Sequence, residues 1–179
     1  MKLRFNYFII PLLVIITGSA ASYFAESGIV WYNTLNLPEW TPSSSVIMTA
    51  WTVIFALCCV SILIVWNKYS REKHFGLIIG LFILNAIINV GWNILFFTNQ
   101  QLALAFFQAI LLTFNVILLV VLIWRFCPFA ATCLLPYSIW VIFSTILTPN
   151  WLVPSPITET FSPEAPSLRN CMCMLLSRV

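Results

Sequence analysis

Five stretches of this chain, at about residues 5–25, 44–66, 75–97, 102–124 and 129–148, are each apolar and long enough to cross a bilayer. A crossing takes about 20 residues at about 1.5 Å of rise per residue. Composition agrees, with 61% of residues hydrophobic and only 7% charged, where a soluble domain carries about 25% charged. Inside hydrocarbon every backbone N–H and C=O needs a partner within the protein, so only helices and closed barrels span. These runs lack the two-residue alternation of barrel strands. The expected fold is all-α: a polytopic membrane protein built as a five-transmembrane-helix bundle.

The first run admits a second reading. Lys2 and Arg4, an apolar stretch from Phe5 to Thr17, and then Gly18-Ser19-Ala20 also suit a cleavable signal peptide. Apolar character continues past those small residues to Phe24, however, and a retained helix is expected. Its Gly18, Ala21, Ser22 and Ala25 share one face, a small-residue stripe of the kind that lets helix backbones approach closely. Basic residues set the orientation. Lys2 and Arg4 precede the first span, Lys68, Arg71 and Lys73 follow the second, and Arg125 follows the fourth. In a five-span arrangement all six fall on one side, which the positive-inside rule makes cytoplasmic. The N-terminus is then cytoplasmic and the C-terminus opposite. After Leu147 the prolines at 149, 154, 156, 163 and 166, set among Ser, Thr and Glu, end the helix, and residues 149–179 read as a disordered Pro-rich tail.

Composition also excludes function classes. The net charge of +3 comes from scattered bases, so a nucleic-acid partner is not expected. The cysteines at 58, 59, 127, 133, 171 and 173 form no Cys-x-x-Cys pair, which argues for small apolar fillers rather than a metal site or a disulfide framework. There is no Ser/His/Asp set, and the sole histidine, His74, falls in the short cytoplasmic 67–74 loop as a solvated residue.

Polar side chains inside a span usually face other helices, so their spacing is informative. In the third span Asn85, Asn89, Trp92 and Phe96 stand at i, i+4, i+7 and i+11, which puts two amides and two large rings on one face. In the fourth, Gln101, Gln108 and Asn115 recur at seven-residue steps. The fifth offers Pro136, Trp140, Phe143 and Leu147 with Ser144 beside them; the second offers Trp51, Phe55 and Ile62 near Cys58. Each residue alone is better explained by interhelical hydrogen bonding and core packing. Trp66 and Trp124, at span ends, suit interfacial anchors. Four faces of rings with sparse amides, taken together, describe a mostly apolar pocket for a flat, poorly soluble ligand. The break at 31–42, WYNTLNLPEWTP, carries Trp31, Pro38, Trp40 and Pro42. Two prolines stiffen it and two indoles give it apolar mass, so it serves either as a lid over the bundle mouth or as an interfacial loop dipping its rings into headgroups.

Three segments carry a resemblance. WYNTLNLPEWTPSSSVIMTAW resembles the first loop and second helix of the TspO/MBR family, the tryptophan-rich sensory proteins, translocator proteins and peripheral-type benzodiazepine receptors. NVGWNILFF is similar to that family's third-helix Asn-x-x-Trp/Phe-x-x-x-Phe-Phe segment, and LLPYSIWVIFSTIL to its fifth-helix Pro-Tyr-x-x-Trp-x-x-Phe motif. The match runs in order over about residues 10–148. It implies a five-helix membrane protein that can pair as a homodimer and binds small-molecule tetrapyrroles, protoporphyrin and haem, between the helices beneath the first loop, with no cofactor or metal required. By resemblance Trp51, Asn89, Trp92, Phe96, Trp140, Phe143 and Ser144 line the pocket. Gln108 falls where members carry an acidic or polar side chain, and Trp31, Pro38, Trp40 and Pro42 belong to the lid.

Two alternatives attach to the same resemblance. One is a light- and oxygen-dependent breakdown of protoporphyrin that depends on Trp51 and Trp140. The other is transmembrane transport of porphyrin or sterol, for which the uncharged spans make ion coupling unexpected. The sequence departs from the family at Thr148-Pro149, where members continue the fifth helix, and it lacks the sterol motif that animal members carry there. Val65, Tyr69 and Arg71 fit that loose pattern elsewhere.

Overall fold

The computed structural model describes residues 5–35 and 40–150, with side chains through Leu147. Lys2, Arg4, Pro38, Glu39 and everything beyond Asn150 lie outside the described residues, as does most of the expected tail. The chain forms α1 (Asn6–Ser27), a short α2 (Ile29–Tyr32), α3 (Ser44–Lys68), α4 (Phe75–Asn93), α5 (Leu102–Trp124), α6 (Pro128–Thr132) and α7 (Leu135–Asn150). A π-helical turn, Ile94–Thr98, extends α4 without a break. Five spans result, the third being Phe75–Thr98 and the fifth joining α6 to α7 over Pro128–Leu147.

The helices start and stop for local reasons. Pro128 takes the first position of α6, where a missing N–H costs nothing. Pro11 lies inside α1 and is accommodated there, as prolines in spans generally are. The fifth helix corrects one expectation: its backbone stays helical through Thr148 and Pro149 to Asn150 instead of ending before the proline. A proline removes one intrahelical N–H and crowds the preceding turn, yet the backbone is helical on both sides of this one.

Packing closes the spans into a ring. α1 touches α3, α3 touches α6 and α7, α7 lies on α5, α5 on α4, and α4 on α1, giving the order first, second, fifth, fourth, third. Outward faces carry Ile83, Leu84 and Ile87 on α4 and Leu111 and Phe114 on α5, all exposed on the isolated chain and suited to lipid. The interior falls into three layers. One end packs Cys58, Val65, Ile78, Phe82, Leu119, Ile123, Cys127 and Leu134. The middle packs Ile54, Leu112, Val116, Tyr137 and Val141 against Trp51, Ile88 and Trp140. The loop end packs Tyr32, Phe96 and Ala105 against Trp31 and Trp92. Cys58 and Cys127 are thus core fillers. Val65 is fully buried, so Val65, Tyr69 and Arg71 present no common outward face for a sterol. Trp66 and Trp124 stand exposed at span ends, and His74 is exposed in its loop.

Small residues act as spacers at two places. Gly18 of α1 faces the Phe55 ring of α3 and Ala21 is buried, while Ser22, expected on the same stripe, is exposed. Gly28 lies against the backbone carbonyl of Phe97, where any Cβ would collide with main chain that cannot yield. Its φ of −111° is open to any residue, so the glycine is required by close approach alone. A Gly28→Ala variant is expected to lose about 1–3 kcal/mol through overpacking, read as a fall of several degrees in the thermal midpoint in detergent; an unchanged midpoint would contradict the contact.

Candidate functional site

The polar face of α4 is held by a buried hydrogen-bond relay across three helices. Tyr137 of α7 donates its hydroxyl hydrogen to Asn85 Oδ1 at 2.9 Å, and Asn115 of α5 accepts at Oδ1 from Asn85 Nδ2 at 3.0 Å. Asn115 Nδ2 reaches back to the Leu81 carbonyl at 3.4 Å. Asn89 Nδ2 approaches the Tyr137 hydroxyl at 3.5 Å, a weak contact. All four side chains are buried. Because Asn85 faces in, its neighbours one, two and three turns along face in with it: Asn89, Trp92 and Phe96.

Two ring clusters rest on this frame. On the α4 side Trp92 stacks on Phe96 with centroids 4.8 Å apart and planes 11° from parallel. The edge of Trp31 meets Phe96 at 5.6 Å and Tyr32 meets Phe97 at 5.7 Å, so the first half of the loop docks on the π-helical turn. Such turns concentrate at functional sites, and this one carries Phe96 at its centre. Ser27 and Thr98 hydroxyls add a 3.1 Å contact alongside. Tyr32 is buried by this docking, which pushes its phenol above the ordinary range. On the α7 side Trp140 meets Phe143 at 5.6 Å, and Trp40 from the end of the loop meets Phe143 edge-on at 5.9 Å. Trp51 of α3 packs against Phe55 at 5.8 Å and, edge to face, against Tyr137 at 6.0 Å, joining the ring clusters to the relay.

Among the described residues three side-chain polar atoms, all in this half of the bundle, are buried with no hydrogen-bond partner: Trp92 Nε1, Trp140 Nε1 and Thr41 Oγ1. A buried donor left unpaired costs about 1–3 kcal/mol, and native structures hold few of them. Two indole N–H groups inside an apolar bundle, each beside another aromatic ring, mark where a ligand with acceptor atoms gains most.

The expected site residues divide accordingly. Trp51, Asn89, Trp92, Phe96, Trp140 and Phe143 all face the interior; Trp31 packs against its loop-end layer, while Trp40 stays about half exposed and meets only the Phe143 ring. Pro42 is half-buried beside them; Pro38 lies outside the described residues. Two of the polar candidates have other commitments. Gln108 donates from Nε2 to the Ile88 carbonyl at 2.9 Å, lying over Gly91, where a Cβ would stand 2.6 Å from that nitrogen. Ser144 donates to the Trp140 carbonyl one turn back at 2.9 Å. Gln101 and Pro136, expected to share their helices' inward faces, are exposed. The residue that site reasoning missed is Tyr137, although the Pro-Tyr pair in LLPYSIW carried the signal: a phenol at membrane depth needs a partner. Two depressions among the described residues lie away from these rings. One is lined by Ser45, Val46, Thr49 and Ala50; the other, of about 240 Å³ between the outer faces of α5 and α7, has Thr113 and Thr145 among its lining residues.

Five apolar spans in a closed ring around an aromatic interior define an integral, multi-pass membrane protein with a ring-lined core. The chain belongs to the TspO/MBR family, whose family model matches residues 8–153. Among its relatives, an uncharacterized membrane protein YtaB of Bacillus subtilis is 32% identical over 132 residues, 73% of this chain and 83% of the relative. A tryptophan-rich protein TspO of Bacillus cereus is 32% identical over 69% of this chain and 78% of its own length. The translocator protein of Ovis aries is 29% identical over 70% and 75%.

Removing the Asn85 carboxamide tests the relay. Interhelical hydrogen bonds in bilayers average about 0.6 kcal/mol, but Asn85 serves two partners at once. Asn85→Leu should therefore cost about 1–3 kcal/mol by leaving the Tyr137 hydroxyl hydrogen and Asn115 Oδ1 without their partner. Asn85→Leu combined with Tyr137→Phe should recover part of that loss. Reversible unfolding in mixed micelles reads both, and strictly additive losses would contradict the relay.

Proposed function

We propose that the chain is a membrane receptor or carrier for tetrapyrroles, protoporphyrin and haem, which it holds between its helices beneath the 31–42 loop in sensing or tetrapyrrole homeostasis. One observation carries this reading: the Trp92 and Trp140 indoles turn inward beside other aromatic rings with their N–H groups buried and unpaired. A flat macrocycle has the apolar faces to stack on such rings and carries acceptor atoms on its rim. Its entry displaces ring-on-ring contacts, such as Trp40 on Phe143, that are worth about 0.5–1.5 kcal/mol each. That cost is small beside the roughly 8 kcal/mol of a micromolar complex.

Protoporphyrin added to the purified protein is expected to quench tryptophan emission with a Kd on the order of 1 μM. Trp51→Phe combined with Trp140→Phe should weaken binding at least about tenfold, about 1.4 kcal/mol. An undiminished affinity in that double variant would falsify the pocket.

We further propose that the 68–74 loop faces the cytoplasm, because Lys68, Arg71 and Lys73 gather there while the Thr98–Gln101 turn at the other end is uncharged. A cysteine placed at Ser70 should then react with a membrane-impermeant maleimide in inverted vesicles and stay protected in right-side-out ones. The opposite pattern of labelling reverses the orientation.

A further inference from the structure

The orphan donors and the distribution of charge together narrow what the interior accepts. Trp140 Nε1 sits in the middle layer and Trp92 Nε1 in the loop-side layer, with Thr41 Oγ1 in the loop itself. Two of the three are donors only. Among the described residues Lys68, Arg71, Lys73 and Arg125 are all exposed, and all stand at or just after the ends of α3 and α5 remote from the loop. No Lys or Arg occurs between Arg4 and Lys68, between Lys73 and Arg125, or between Arg125 and Arg169. Trp92 stands 17 residues beyond Phe75, about 25 Å of helix rise from that charged end. The 31–42 loop contributes a carboxylate, Glu39, and no base.

An N–H dipole without a nearby cation satisfies a carbonyl or ester oxygen well and a buried carboxylate poorly, since an unpaired anion in a medium of low polarity is far more costly than a neutral acceptor. We propose that the interior recognises its ligand through neutral acceptor oxygens on the rim of a flat ring system, bound by the Trp92 and Trp140 N–H groups, and keeps carboxylate anions out of the bundle. This rests on the reading of the interior as a tetrapyrrole site and specifies the chemistry of what enters. An ionised side arm on the macrocycle stays at the mouth or takes up a proton before it is buried.

Three porphyrins of similar ring size separate these features: protoporphyrin dimethyl ester, with neutral carbonyls; protoporphyrin free acid; and etioporphyrin, whose rim is alkyl only. Full-length protein in micelles is titrated with each, following tryptophan emission. At about pH 8, well above the carboxyl range, the diester is expected to bind about tenfold tighter than either of the others, the scale of one or two net hydrogen bonds. The free acid should gain on the diester as pH falls toward about 4. Trp92→Phe and Trp140→Phe, which keep a ring and delete the N–H, should each shrink the diester's advantage over etioporphyrin to about twofold. Comparing each variant with the wild type for the same pair of probes cancels partition into micelles, and circular dichroism checks that each variant keeps its helices. Etioporphyrin binding as tightly as the diester, or an advantage that survives in both variants, overturns acceptor recognition while leaving tetrapyrrole binding in place. Tighter binding of the free acid at about pH 8 overturns the exclusion of anions. Failure of all three to bind overturns the tetrapyrrole reading as well.

Discussion

The Asn85 carboxamide decides which way the third span faces. Lipid tails are as apolar as leucine, so helices in a bilayer gain nothing from hiding hydrophobic surface in one another. Orientation is left to packing and to polar groups that must find partners. Asn85 finds two, Tyr137 on α7 and Asn115 on α5, both within 3.0 Å. Once that face of α4 is fixed, helical periodicity delivers Asn89, Trp92 and Phe96 to the interior with no further specification. The π-helical turn then opens the last stretch of α4 so that the backbone of Phe97 meets Gly28 and the first half of the loop can seat on Phe96 and Phe97.

Much of this is legible in the sequence because hydrocarbon imposes simple rules. Five runs of sufficient length could become little else, and the helices found there occupy nearly the same residues. The inward face of α4 follows from amides at four-residue spacing, since an unpaired amide facing lipid is expensive. The less legible features depend on contacts between spans. Gln108 and Ser144 look like polar handles in the sequence, yet one amide serves the Ile88 carbonyl across the α4–α5 seam and the hydroxyl serves its own helix. Neither commitment shows in spacing alone, because a polar side chain in a span has backbone carbonyls within reach on every side. Tyr137 was masked by its motif, read for the tryptophan that follows. The π-helical turn and the passage of α7 through Pro149 both break a regular rule locally.

What the interior offers is therefore asymmetric. Its amides are largely paired to one another or to carbonyls, which makes them framework. Two of its inward indoles, Trp92 and Trp140, are buried without a partner, which makes them the part of the surface open to a new hydrogen bond. Membership of the TspO/MBR family fits this division, with tryptophans inside the bundle and at the loop and scarcely a charge between them. Stacking supplies affinity without much discrimination among flat molecules, while the unpaired N–H groups select among their rims.

The claim that these indoles turn inward toward a ligand is tested most directly by the indole N–H resonances of the nitrogen-15-labelled protein in micelles, followed as protoporphyrin dimethyl ester is added. Trp92 and Trp140 should move downfield together as their protons acquire acceptors, while Trp66 and Trp124, anchored at the span ends, should hold their positions. Movement confined to Trp66 and Trp124 would place the porphyrin on the outer, lipid-facing surface and contradict an interior site.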